Sequence, residues 1–192
     1  MSAGHGHGPA HHDEGSKRIG LLIAILALVL AFSETLGKGA QTQALSLNIE
    51  ASNLWTFFQA KTVRLTMMKT AAEAAALDLV QTTDPKAKDV IDKQIAGWRK
   101  TAERYDSEPE TNEGRKELAA RAKATEQKRD RALAAYHNYE LASGAVQIAI
   151  VLASASIITG LAVLVWAAAA LGAVGVAFSL IGFFWPTAVH LF

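Results

Sequence analysis

The sequence predicts an all-α chain. Three transmembrane helices carry an extramembrane helical hairpin, or coiled-coil stalk, between the first and second spans. Three observations predict it. Read in sevens, Ala40, Leu47, Leu54, Lys61, Met68 and Ala75 fall on one heptad position. Ala44, Ala51, Phe58, Leu65, Ala72 and Leu79 follow each by four, and eleven of the twelve are apolar. That spacing keeps one stripe of a helix facing a partner over nearly six heptads, and a single helix cannot bury it against itself. The second observation is that no Asp, Glu, Lys or Arg occurs between Glu140 and the end of the chain, which a bilayer selects for. The third is an all-round apolar run from Ile19 to Phe32, directly behind Lys17 and Arg18.

The elements follow in order. Residues 1–18 are rich in Gly, His and acid and form no core, so they are expected to be a disordered tail. His5, His7, His11 and His12 are candidate metal ligands there, since neutral imidazoles at short spacing suit Zn, Ni or Cu. The plainer alternative is a solvated His-rich tail. Residues 19–36 are the first transmembrane helix. A cleaved signal peptide ending near Ala31-Phe32-Ser33 is the competing reading, but the heptad pattern begins at once behind it. Glu34 and Lys38 stand four apart in the order that favours a helical ion pair. Gly37 and Gly39 allow a bend.

Residues 37–140 form the stalk. Its first helix carries Trp55, Phe57 and Phe58, a broad packing face or, less simply, a ligand site with Asn53, Gln59 and Lys61 as its polar groups. The packing seam, within the chain or between copies, comprises Leu47, Leu54, Trp55, Phe58, Lys61, Leu65 and Met68. Lys61 resembles the single polar residue that fixes register in a coiled coil at some cost in stability, so Lys61→Leu is expected to stabilise. Asp84-Pro85 has helix-start chemistry, a capping carboxylate before a proline at the first helical position. A short helix follows to Tyr105, then a polar loop from Ser107 to Gly114 read as a solvated turn. A third helix begins near Arg115, with Leu118, Ala122, Thr125, Ala132, Leu133, Tyr136 and Tyr139 as a thinner apolar stripe. It runs on through an aromatic boundary at Tyr136–Tyr139.

Residues 141–158 and 161–185 are the second and third spans. One span needs about twenty residues, so the apolar run must turn. Thr159-Gly160 is the predicted turn, with Ala167–Gly172 as the alternative. Small residues recur at Ala149, Ala153 and Ser156 and at Gly172, Gly175 and Gly182, where membrane helices approach closely. Pro186 ends the last helix.

The runs Gly39-Ala40-Gln41-Thr42-Gln43-Ala44-Leu45 and Ile49-Glu50-Ala51-Ser52-Asn53-Leu54-Trp55-Thr56-Phe57-Phe58-Gln59-Ala60-Lys61 resemble the bacterial family DUF4337, a domain of unknown function. So does the block from Tyr139 to Ser154. The resemblance covers nearly the whole chain, and Trp-x-x-x-Gln-Ala-Lys is its most specific part. It implies a small helical protein of the bacterial inner membrane, multi-pass, with no catalytic residues to carry over. The basic turn common between the last two spans of the family is missing here.

Net charge is +1, so bulk attraction to nucleic acid is not implied, and there is no Cys for a disulfide or a thiol nucleophile. No nucleotide loop, HExxH helix or Gly-x-Ser-x-Gly elbow occurs, so no enzyme and no cofactor are expected. The leading expectation is a non-enzymatic membrane protein acting in assembly or scaffolding through its stalk. Its partners are the lipid bilayer, further copies of the chain and other membrane proteins. A transport or channel subunit is the first alternative, although polar groups in or beside the last two spans are few, Gln147, Ser154, Ser156, Thr159 and Ser179 among them. A metal-responsive protein using the His-rich tail is the second. Lys17 and Arg18 favour an inside N-terminus, which places the stalk outside the cytoplasm.

Overall fold

A computed structural model describes residues 11–189, with side chains from residue 15. Among these residues the chain is all-helical: α1 (His11–Gln81), α2 (Pro85–Asp106), α3 (Arg115–Thr159) and α4 (Ala162–Phe184). Three of the four, α1, α3 and α4, are long and apolar enough to cross a membrane. Two compact units are formed. One joins the chain up to Ala44 with the chain from Asp130 onward, and the other is Leu45–Arg129.

α1 is one helix of 71 residues. It starts at His11, so the segment 11–18 is helical and not disordered as the composition implied. Adding a residue to an existing helix avoids the cost of nucleation, and the apolar run from Ile19 supplies that helix. The helix also passes through Gly37 and Gly39 without a break. Gly37 serves packing instead, because a Cβ there would lie 3.2 Å from Tyr139 Cβ.

The apolar unit is a three-helix bundle packed on small residues. Ala142, Val146, Ala149 and Ala153 on α3 are all 0% exposed, at spacings that keep them on one helix face. Their counterparts on α4 are Ala168, Gly172, Gly175 and Gly182, all buried. A Cβ on Gly175 would collide with Val146 Cγ2 and stand 3.0 Å from the Ala142 carbonyl oxygen. A Cβ on Gly172 would stand 2.5 Å from Leu26 Cδ2, so α1 also closes onto α4 at a glycine. Ser33 and Ser179 join α1 to α4 by a hydroxyl–hydroxyl hydrogen bond of 2.8 Å. Asn138 Nδ2 donates to the Pro186 carbonyl at 3.0 Å, tying α3 to the turn that ends α4. Leu21, Ile25, Leu28 and Phe32 form an exposed outer stripe on α1. Trp166 and Trp185 are exposed near opposite ends of α4, the placement of interfacial aromatic belts. α3 ends at Thr159 and α4 begins at Ala162, with Gly160 between them at φ 70. That left-handed backbone suits glycine and closes the connection tightly.

The second unit is a helical hairpin whose return arm is in two pieces. Twenty residues separate Lys61 from Gln81, and twenty separate Pro85 from Tyr105, so α2 runs back beside the end of α1. Lys61 Nζ lies 5.3 Å from the Tyr105 ring centre, which closes that register. α3 then takes over the pairing, with Leu118 and Ala122 packed against Leu54. The bend between α1 and α2 is capped as its residues require. Asp84 Oδ1 accepts from Lys86 N at 3.1 Å, and Pro85 sits in the first turn where its missing N–H costs nothing.

Candidate functional site

Within the hairpin, every seam position from Leu47 to Leu79 is buried or half-buried. Leu54 and Leu65 are buried, while Leu47, Trp55, Phe58, Lys61 and Met68 are half-buried. The stripe faces helices of the same chain. Trp55 and Phe58 meet edge to face, their ring centres 5.4 Å apart, beside Leu54, Leu118 and Ala122. The Trp55 indole N–H donates to Glu126 Oε1 at 2.9 Å, so the polar end of the ring is satisfied by α3. Arg129 Nη1 donates to Asn48 Oδ1 at 3.3 Å further along the same pair of helices.

Lys61 stands opposite the gap between α2 and α3. Its ammonium is 3.9 Å from Glu108 Oε2 and 4.0 Å from Glu113 Oε2, and its side chain is 17% exposed. The charge therefore has counter-charges in this chain, and what it positions is the connection Ser107–Gly114. That connection is an ion-paired elbow, which corrects the expectation of a merely solvated turn. Arg115 reaches back to Asp106 Oδ1 through Nε at 3.1 Å and Nη2 at 2.7 Å. Lys116 Nζ takes Asp106 Oδ2 at 2.7 Å. The Ser107 hydroxyl donates to Glu117 Oε1 at 2.6 Å, and Glu108 N donates to Glu117 Oε2 at 3.1 Å. Glu117 thus covers the backbone N–H groups at the elbow and the start of α3 at once. Gly114 is buried, and any side chain there would strike Glu117 and the Glu108 backbone.

These contacts set the acidity of two carboxyls. Hydrogen bonding from Lys116, opposed by desolvation and reinforced by Arg115, holds Asp106 below its ordinary range. The hydrogen bond from Ser107 does the same for Glu117. A cleft of about 410 Å³ opens beside the elbow, with Leu54, Phe57 and Leu118 as apolar lining and Lys61, Arg64 and Arg121 as cations. Phe57, Lys61 and Arg64 share one side of α1 at helical spacing. Glu113, which pairs with Lys61, lines the same cleft, so its charge is mixed.

The proposed metal ligands His5, His7, His11 and His12 lie outside the residues whose side chains are described. Among the described residues no group of three or more His, Asp or Glu is placed to hold a metal. The elbow acids are the residues that sequence reasoning missed. A lone lysine on an apolar seam was the available signal, because a half-buried cation requires a nearby carboxylate.

A model of DUF4337, described as a domain of unknown function, matches residues 15–185. The chain belongs to the DUF4337 family. The DUF4337 match takes in both compact units, the apolar bundle and the hairpin. No curated protein and no solved structure matches the chain.

Proposed function

We propose that this DUF4337 chain is a non-enzymatic integral membrane protein that acts in assembly through its helical hairpin, with a second copy of itself as the first partner. The observation that carries the proposal is a second apolar stripe on α1. Ile49, Val63 and Leu77 are 62%, 59% and 68% exposed. Each falls two residues before a seam position, Ala51 and Leu65 buried and Leu79 half-buried, about 200° round the helix. Leu45, Met67 and Val80 extend this exposed face. Thr56 and Thr66 lie on it too, and their hydroxyls are taken up by the Ser52 and Thr62 carbonyls of the same helix. Since the seam is covered from within the chain, this opposite stripe is the surface available to a partner. Its recurrence every fourteen residues matches its own repeat on a second α1, as in a coiled coil.

The three apolar helices support a bilayer location. We take it to be the bacterial inner membrane, with the hairpin outside the cytoplasm because Lys17 and Arg18 precede the first span. Transport has less support. The Ser154, Ser156, Thr159 and Ser179 hydroxyls all donate to carbonyls of their own helices instead of lining a path. The test is native mass in mild detergent. The parent chain is expected as a dimer or higher species, and Ile49→Ser, Val63→Ser and Leu77→Ser together are expected to give monomer with unchanged helicity. A monomeric parent at concentrations reached in the membrane would overturn the reading.

A further inference from the structure

A separate cleft of about 480 Å³ opens between α1 and α3 in the apolar unit. It lies where the apolar runs of both helices stop, near Leu36 and Leu141, which is headgroup depth if the spans lie in a bilayer. Its lining is mostly apolar, and the charges it carries are unbalanced. Glu34 and Glu140 supply two carboxylates, and Lys38 supplies one ammonium. Glu34 does not form the expected pair with Lys38. Its Oε1 accepts from Gln147 Nε2 at 3.1 Å, across 113 residues of sequence. Glu140 accepts from the Tyr136 hydroxyl at 3.4 Å and stands 3.6 Å from His137 Nδ1. Among the described residues Lys38 has no carboxylate within ion-pair distance. Gly144 leaves the α3 wall bare, since a Cβ there would meet nothing within 4 Å. One turn further, Ile148 and Val151 continue that wall as exposed apolar surface.

We propose that this cleft binds the phosphoethanolamine headgroup of a membrane lipid. The primary ammonium sits between Glu34 and Glu140 and the phosphate on Lys38, while the acyl chains descend past Gly144 along Ile148 and Val151. The chemistry selects this headgroup. Carboxylates accept hydrogen bonds, and a primary ammonium has three N–H donors to give, whereas a choline has none. A lipid of net negative charge meets two carboxylates against one lysine. An ionisable residue at the edge of a span, held by an amide instead of a counter-ion, is the kind of group that marks a site.

The inference rests on the membrane reading, so the test reports the two separately. The full chain is first reconstituted into vesicles of phosphatidylcholine alone or with one-third phosphatidylethanolamine, and flotation scores insertion. The detergent-solubilised chain is then titrated with phosphatidylethanolamine, phosphatidylcholine and phosphatidylglycerol of matched acyl chains, and retention of each is read by native mass. Retention of phosphatidylethanolamine is expected to exceed that of the other two by about tenfold, as one or two charge-assisted hydrogen bonds imply. Water-soluble glycerophosphoethanolamine should compete only weakly, because the acyl chains are absent. Glu34→Gln with Glu140→Gln should abolish the preference while leaving insertion intact, and Lys38→Ala should reduce it. Insertion with equal retention of the three lipids refutes the cleft alone, as does a preference that survives the double carboxylate variant. Failure to insert refutes the spans and the cleft together.

Discussion

The apolar bundle and the hairpin solve the same problem, helix against helix, with opposite materials. In the bundle the contact surface is Ala142, Val146, Ala149 and Ala153 against Gly172 and Gly175, and the backbones approach until no methyl group fits. In the hairpin the contacts are Leu54, Trp55, Phe58 and Leu118, with carboxylates and cations completing the edges. With the bundle in a bilayer, as proposed, lipid tails are as apolar as leucine, so large side chains gain little by leaving them, and close van der Waals contact must hold the helices. Beside water, large apolar side chains gain from burial itself. The two regions therefore fail in opposite directions: the hairpin when a side chain is made smaller, the bundle when one is made larger.

The largest expected effect is in the hairpin. Leu54→Ala and Leu118→Ala should each cost about 2–5 kcal/mol through lost contacts and the cavity left behind. Loss of helical signal on heating in detergent is the measurement, and a parent-like melt for both would break the contrast on its hairpin side. In the bundle the sensitive change is enlargement. Gly175→Ala should cost about 1–3 kcal/mol, since the added methyl meets Val146 and the Ala142 carbonyl. The control is Gly97→Ala on α2, where a Cβ meets nothing within 4 Å. It should stabilise the hairpin by about 0.5–1 kcal/mol through helix propensity. Equal effects for the two glycines would remove the close-approach account.

Lys61 sharpens the comparison further. Seen as a seam residue alone, its replacement by leucine was expected to stabilise. With Glu108 and Glu113 facing it, Lys61→Leu leaves Glu113 without its cation and Glu108 with Arg104 alone, and a loss of about 1 kcal/mol is expected. A raised melting temperature would restore the original expectation. The smallest effect at neutral pH concerns acid. Asp106 and Glu117 titrate lower in the folded chain than in the unfolded one. The stability they add is thus present above the ordinary carboxylate range and is lost as pH falls through their folded values. The hairpin should lose melting temperature below about pH 4, and Asp106→Asn should flatten that decline.

Much of the fold was legible because it follows from periodicity and length. The seam was visible as a seven-residue repeat, and the charge-free run after Glu140 was too long for one span, which forced a turn; of the two places considered, Thr159-Gly160 and Ala167–Gly172, the chain turns at the first. The small faces of the last two spans could be read from Ala149, Ala153, Gly172 and Gly175 alone. Other features depend on distance in space. Glu34 has a near and favourable partner in Lys38, yet its hydrogen bond comes from Gln147, and no local rule finds a partner so far along the chain. The elbow acids looked like a solvated loop because their cations, Lys61, Arg104, Arg115 and Lys116, come from three different helices. The exposed stripe was hidden by its own composition, since Thr56 and Thr70 alternate with Ile49, Val63 and Leu77 and read as polar.

The central claim is that the seam of α1 is closed within one chain while its opposite face meets another copy. The absence of cysteine permits a direct measurement in intact membranes. Val63→Cys and Leu65→Cys are two residues apart on opposite sides of the helix, one exposed and one buried. With a short bifunctional thiol cross-linker, Val63→Cys should yield a covalent dimer and Leu65→Cys should remain monomeric. A dimer from Leu65→Cys with none from Val63→Cys would place the seam between copies and contradict the account.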